Sequence, residues 1–394
     1  MILTQEASSL AEVHEAVKIA AQKFDYESWR YLTEIRNAVK AAGAGAGTGA
    51  DVGAGPELPR GTNTPVIWFR GQRQSSWDLE PILLRKQKKD GDPFSDDKWT
   101  PGYSQARLQE NYRLQYFSAR AYHLVAEKPD NNIEWQEILQ HYQVSTRLMD
   151  WSESLYAALL FALESFIADP GDDTFKVKRI SASPTVWLFY PALSNAKLYD
   201  MIVNDPSVIK ESVDVLLARA PEREKEQMTA KITGYMKDNR DAVLDARGFR
   251  GSNLVSLSRL AELRASAGAD LLQMLTSGEF NPFFYLLLRI YNDGIALEND
   301  LPPVAMIHPY HSPRIAIQNG AFTVFPFPKN KAGARVTPLN KFPGWDNCLC
   351  EIRLTDPQAI ADEMAYNGFS REDLYPELET YGKETERRQT SSYL

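Results

Sequence analysis

Two arginines close an apolar run: Val66, Ile67, Trp68 and Phe69 give way to Arg70, Gly71, Gln72 and Arg73. A guanidinium at the end of a buried strand can grip a phosphate or carboxylate through two parallel charge-assisted hydrogen bonds, and a glycine beside it lets a ligand approach the backbone. The same residue types equally suit a buried arginine neutralised by an acidic partner within the fold. A second, denser group comprises His141, Tyr142, Ser145, Thr146, Arg147, Asp150, Trp151 and Ser152. Polar side chains gathered in a loop beside a core helix suit binding or catalysis. Each also has a structural use: Asp150 or Ser152 can cap the following helix, Arg147 can pair with Asp150, and Trp151 can fill core. Capping accounts for one of these residues and leaves the others. A third group lies in "RIAIQNGAFTVF", where Ile315 and Ile317 alternate with Arg314, Ala316 and Gln318. This predicts a half-buried strand, a turn at Asn319-Gly320 and a second strand, with Gln318 facing either a cleft or solvent.

Other chemistries find less support. His308 and His311 flank a Pro-Tyr pair, and Cys348 and Cys350 are separated by one leucine. Neither spacing is a usual zinc pair, so no metal is expected. The strained serine turn of the hydrolases, G-x-S-x-G, does not occur. Gly45, Gly47 and Ala50 satisfy a loose dinucleotide-binding pattern, but more glycine follows them and a helical pattern precedes them, which denies the strand-to-helix turn that the pattern requires.

Elements that must hold these groups follow from periodicity. Apolar residues at three- and four-residue spacing from Leu10 to Val39 predict an amphipathic helical arm over 1–42. A Gly/Ala-rich linker over 43–64 comes next. The remainder, 65–394, reads as one domain. Helices are expected over Ser104–Ala126, over Ile133–His141, from Leu155 and over Pro357–Tyr366, with strands at "PTVWLFYP", "PPVAMIHPY" and "NCLCEIRL". Residues 195–298 read as a helical insertion or subdomain. Few strands, many helices and no regular βα alternation define an α+β fold, with a small mixed or antiparallel sheet surrounded by helices.

The chain of 394 residues has 44 basic and 52 acidic side chains and a net charge of -8. General electrostatic affinity for nucleic acid or anionic lipid is therefore not expected, and any anion site must be local. No apolar run approaches membrane-spanning length and the N-terminus lacks a secretory pattern, so no membrane association and a cytoplasmic location are expected.

The blocks "WFRGQ", "LQHYQVSTRLMDWSESLYAALLFA" and "PRIAIQNGAFTVF", in that order, resemble the FRG domain, a bacterial and phage-associated family named for its Phe-Arg-Gly motif. The matching positions are Phe69–Gln72, Leu139–Ser152 and Arg314–Phe322, and the resemblance spans roughly Val66–Phe325. The sequence departs from the family pattern at Gln143 and Ser145, where glycine and proline are usual. A weaker resemblance joins Arg70, Ser145, Thr146 and Gln318 to the ordered motifs of ADP-ribosyltransferases. It implies an ADP-ribosyltransferase-like fold and NAD as substrate, with those four residues catalytic. Arg70 would grip pyrophosphate or ribose, and Ser145 or Thr146 would contact ribose. Tyr142 or Trp151 would stack on nicotinamide, and Arg147 with Asp150 would fix the loop. Gly71, Gln72, Arg73 and His141 complete the expected ligand site. The expected glutamate is missing from "IQNGAF", leaving Glu351 and Asp150 as candidates.

Three readings stay open. One is an NAD-using ADP-ribosyltransferase-like effector, a toxin or anti-phage transferase with an unknown macromolecular acceptor. Another is a non-catalytic module that binds a nucleotide or phosphate ligand and signals to a partner. The last is a metal-dependent nuclease, for which Asp150 and Glu153 supply few carboxylates.

Overall fold

The computed structural model describes residues 1–43, 66–85, 103–125, 128–129, 131–167, 182–217, 221–238, 255–256, 290–291, 296–297, 300–307, 313–328, 336–375 and 382. The expected linker, the two histidines of the His-Pro-Tyr-His stretch and most of 239–298 lie outside these residues.

The first half runs β1 (Leu3–Ala7), α1 (Leu10–Gly43), β2 (Trp68–Gln72), α2 (Tyr103–Ala121), α3 (Asn132–His141), β3 (Leu148–Ser152), α4 (Leu155–Ile167) and β4 (Thr185–Phe189). Then come α5 (Pro191–Asn204), α6 (Pro206–Leu216), α7 (Glu222–Asp238), β5 (Val255–Ser256), β6 (Ala296–Leu297) and β7 (Val304–Ile307). Last are α8 (Pro313–Ile317), β8 (Gly320–Val324), β9 (Phe327–Pro328), β10 (Leu349–Leu354) and α9 (Pro357–Tyr366). The architecture is α+β: eight strands form one mixed sheet in the order β1-β10-β4-β2-β3-β8-β7-β5. Only the outermost pairs, β1 with β10 and β5 with β7, are parallel among its described strands.

Every residue of the central β4, Thr185–Phe189, is buried, as an apolar strand covered on both faces should be. β2 pairs with β4 through five registered residues, and β3 pairs with β8 through five. Between β2 and β3, in contrast, a single pair is registered, Phe69 opposite Ser152. The sheet is thus two well-laddered halves meeting at a short seam, and α4 packs against β2, β3 and β4.

Three expectations need correction. The N-terminal segment is not a detached arm: Leu3–Ala7 adds a strand beside β10, and Leu10, Val13, Ala16, Ala20 and Phe24 are buried in the core. The periodicity of α1 was legible, but a five-residue strand with no β-branched residue except Thr4 carries a weak signal. Leu148–Ser152 is a strand rather than a loop, so Asp150 cannot cap α4; Ser154 does so, its hydroxyl accepting from the Ala157 amide at 3.3 Å. Pro313–Ile317 is a short helix, not a strand. Ile315 is buried and Ile317 is 46% exposed, so their alternation over five residues did not mark a shared apolar face.

Candidate functional site

A cavity of about 280 Å³ opens at the seam. β2 contributes Arg70, Gly71 and Gln72 to its wall, α3 contributes Glu137, Gln140 and His141, and β3 contributes Asp150, Trp151 and Ser152. Gln318 and Gly320 close it from the turn between α8 and β8. All three sequence blocks therefore meet in one place.

Arg70 dominates the electrostatics. Its Nη1 donates to the Asp150 backbone carbonyl at 2.5 Å, crossing the seam just beyond the last registered pair. Its Nε is buried and has no hydrogen-bond acceptor among the described residues. Burial lowers the guanidinium pKa to about 10, against the pull of Asp150, so the group remains cationic at neutral pH. Two positions on, Gln72 is 3% exposed and its Oε1 accepts from the Trp187 indole at 3.1 Å. An indole only donates, which fixes the amide orientation and leaves Nε2 a buried donor without an acceptor among the described residues. Arg70 and Gln72 both line the cavity, and each carries a buried donor without an acceptor among the described residues, which costs about 1–3 kcal/mol per group.

Asp150 faces the same space but is held on both sides. Its carboxylate accepts from Gln140 Nε2, and Gln140 Oε1 accepts from the Thr146 hydroxyl at 2.5 Å. Thr146 is 3% exposed and does not reach the cavity wall; it orients Gln140, which in turn orients Asp150. Ser145 also lies outside the wall, its carbonyl accepting from Arg113 Nη1 at 3.1 Å.

Arg147, expected among the ligand contacts, is consumed inside the protein. It is 1% exposed, its Nε lies 3.1 Å from Glu110 Oε2, and its Nη1 donates to the Phe325 carbonyl at 3.2 Å. Its guanidinium sits 4.7 Å from the Phe327 ring centre. It does not pair with Asp150, and Glu110, on α2, was not foreseen as its partner. Trp151 lines the cavity but is 3% exposed, donates to Thr323 at 3.0 Å and stacks on Phe189. Tyr142 lies outside the wall with its ring edge-on to His141.

Gly71 has a different reason from ligand approach. A Cβ built there would stand 1.9 Å from the Ala158 carbonyl oxygen and 2.7 Å from the Ala162 amide nitrogen, both on α4. Glycine at this position lets α4 lie directly on β2.

Gln143 occupies a position whose backbone suits glycine. Its amide bonds the Gln140 carbonyl at 2.9 Å and the Val144 amide bonds Leu139 at 2.9 Å, the paired closure of a Schellman motif ending α3. The motif places Gln143 at φ 62, a left-handed backbone that favours glycine. Gln143→Gly is therefore expected to raise stability by about 0.5–1 kcal/mol, read as a higher urea midpoint at unchanged slope. An unchanged or lower midpoint would show that the glutamine side chain compensates.

Among the wall residues that were missed are Trp77, Arg85, Glu137, Gln140 and Gln143. Arg73 and Arg85 place their guanidinium carbons 5.8 and 5.9 Å from the Trp77 ring centre, so a cation-flanked indole stands at the cavity. Glu137, Gln140 and His141 share a helical spacing of three and four that could have been noticed. Glu351, one of the two candidates for the missing glutamate, is on β10 with β4 between it and β2. It pairs with Arg353 at 3.2 Å and borders another depression. Burial pushes the Cys348 and Cys350 thiols up to about 12 and about 11, which removes them as nucleophiles at neutral pH.

With the geometry in place, comparison with known families gives one result: residues 66–169 match the FRG domain. The match is about a quarter of the chain and covers β2, α2, α3, β3 and α4, while Gln318 and Gly320 reach the cavity from outside it. It is shorter than the span suggested by the sequence blocks. No curated protein and no solved structure matches the chain. No helix among the described residues is long and apolar enough to cross a membrane.

Proposed function

We propose that the seam cavity binds a phosphate-bearing ligand of the nucleotide class, with Arg70 as its principal anchor. One observation carries this reading: three arginines, Arg70, Arg73 and Arg85, line one cavity wall. Phosphate oxygens suit such a concentration of guanidinium charge. Trp77 offers a ring face for a base. The cavity lies near the lower end of the ~300–1,000 Å³ range of ligand pockets, which suits one mononucleotide unit better than complete enclosure of a dinucleotide.

Binding of AMP, ADP and NAD, measured by calorimetry, tests the reading. Arg70→Ala is expected to weaken the best ligand about 10- to 150-fold, the equivalent of one or more charged hydrogen bonds. Unchanged affinity in the variant, with the fold intact by circular dichroism, would refute Arg70 as anchor.

A catalytic version has a specific support: Asp150, an exposed carboxylate, lines the wall with Arg70. Cleavage of the nicotinamide–ribose bond develops positive charge on the sugar, which a fixed carboxylate stabilises more in the transition state than in the ground state. In that reading Arg70 holds the diphosphate, and Gln140, itself oriented by Thr146, keeps Asp150 aimed. Incubation with labelled NAD distinguishes the two versions: nicotinamide release abolished by Asp150→Asn indicates transferase or glycohydrolase chemistry, while retained binding without release indicates a ligand-sensing module.

A further inference from the structure

The turn that follows α9 reaches the cavity from well outside the region that matches the family. Phe369 stacks on Tyr156 of α4 with ring centres 4.1 Å apart, Leu374 is buried, and Tyr375 sets its ring edge-on to Phe161, itself a cavity-wall residue. The Leu374 carbonyl accepts from Gln318 Nε2 at 2.8 Å. From the other side, the Ser152 hydroxyl donates to the Gln318 carbonyl at 2.6 Å. Gln318 is thus pinned twice, its main chain by β3 and its side chain by the C-terminal turn.

A backbone carbonyl only accepts, so the contact with Leu374 decides which way the amide lies. Its nitrogen is occupied. Its oxygen meets no donor among the described residues, on a half-buried side chain of the cavity wall. An acceptor already held in one orientation spares a ligand the entropy of ordering it. Asp150 adds further acceptor capacity to the wall, with one carboxylate oxygen engaged by Gln140. Arg70, Arg73 and Arg85, in contrast, can only donate. The cavity therefore suits a molecule with two unlike parts, an anion for the guanidinium groups and a hydroxyl or N–H for the acceptors. A nucleotide has both, in its phosphate and in its ribose hydroxyls or base amino group.

We infer that Gln318 is a specificity-determining acceptor of the seam cavity, held in place by Leu374 and Tyr375, and that it selects ligands bearing a hydrogen-bond donor as well as a phosphate. The inference rests on the nucleotide reading of the cavity and adds to it which end of the ligand is read and by what.

Calorimetry on the full chain tests it, with AMP, 2′-deoxy-AMP, 3′-deoxy-AMP, purine riboside 5′-monophosphate, which lacks the amino group, and inorganic pyrophosphate as probes. One of the three analogues is expected to bind about 3- to 10-fold more weakly than AMP, the loss of one neutral hydrogen bond, and its identity names the donor. Gln318→Met is expected to weaken AMP by the same factor, to spare pyrophosphate, and to abolish the difference between AMP and that analogue. Tyr375→Ala, which loosens the turn, should follow Gln318→Met in weakening AMP and sparing pyrophosphate, whereas Tyr375→Phe, which keeps the ring, should bind as the unmodified protein does. Should Gln318→Met fail to fold, the same comparison on Tyr375→Ala decides. Equal affinity for AMP and all three analogues, or an equal loss of AMP and pyrophosphate in the variants, would overturn the inference, the latter by showing general damage to the cavity. AMP bound through Arg70 but indifferent to Gln318→Met would remove the role of Gln318 alone, while no binding of AMP or pyrophosphate would remove the nucleotide reading along with it.

Discussion

Gly71→Ala is expected to lower stability by about 3 kcal/mol or more, against the 1–3 kcal/mol usual for overpacking. The added methyl would lie 1.9 Å from a backbone carbonyl oxygen of α4, and backbone cannot swing aside as a flexible side chain does. Relief requires α4 to lift from β2, which would open the packing of Ala158 and Ala162, 1% and 0% exposed, across the centre of the sheet. Urea unfolding of the variant reads the loss directly. Ligand affinity separates two explanations of the glycine. A variant that folds with wild-type stability and only loses ligand would restore the view that Gly71 makes room for a bound molecule.

Glu110→Ala is expected to cost about 3–5 kcal/mol, because it leaves the Arg147 guanidinium buried without its carboxylate. Arg147 would retain the Phe325 carbonyl and the Phe327 ring. Burial holds the Glu110 carboxyl above the ordinary carboxylate range despite the adjacent Arg147, and an apolar pair of similar volume carries no such desolvation cost. It follows that the paired replacement Glu110→Leu/Arg147→Met should recover most of the loss. Equilibrium unfolding of the single and double variants forms the cycle that checks this. A double variant no more stable than Glu110→Ala would mean that the pair contributes through geometry rather than charge balance.

The sequence made some of this legible and left some hidden, for identifiable reasons. "SLYAALLFALESF" announced a core helix because the run is long and apolar enough to admit one reading, whereas "VIWF" announced a strand two residues early: β2 is Trp68–Gln72, with Val66 39% exposed and Arg70 at its middle rather than its end. The meeting of Arg70, His141, Asp150 and Gln318 around one cavity was foreseeable as a group from the ordered blocks. What the residues do there was not, since partners come from distant positions. Arg147 finds Glu110 on α2, thirty-seven residues earlier, and Gly71 owes its identity to a carbonyl on α4. Thr146 looked like a ribose contact through the resemblance to ADP-ribosyltransferases; the placement of Gln140 puts it one step behind the wall. Trp77 and Arg85 sat in plain view beyond the strand, but the turn that returns them to Arg73 leaves no periodic trace.

The single registered pair between β2 and β3 has a mechanical meaning. The flanking pairs β2–β4 and β3–β8 each carry five registered residues, whereas here a guanidinium reaching the Asp150 carbonyl replaces the next rung. A molecule bridging Gln72 on one side and Gln318 on the other would act as a rivet between two plates. Occupancy would thus be felt as stiffness across the whole sheet, out to its far edges, rather than as a change confined to the lining.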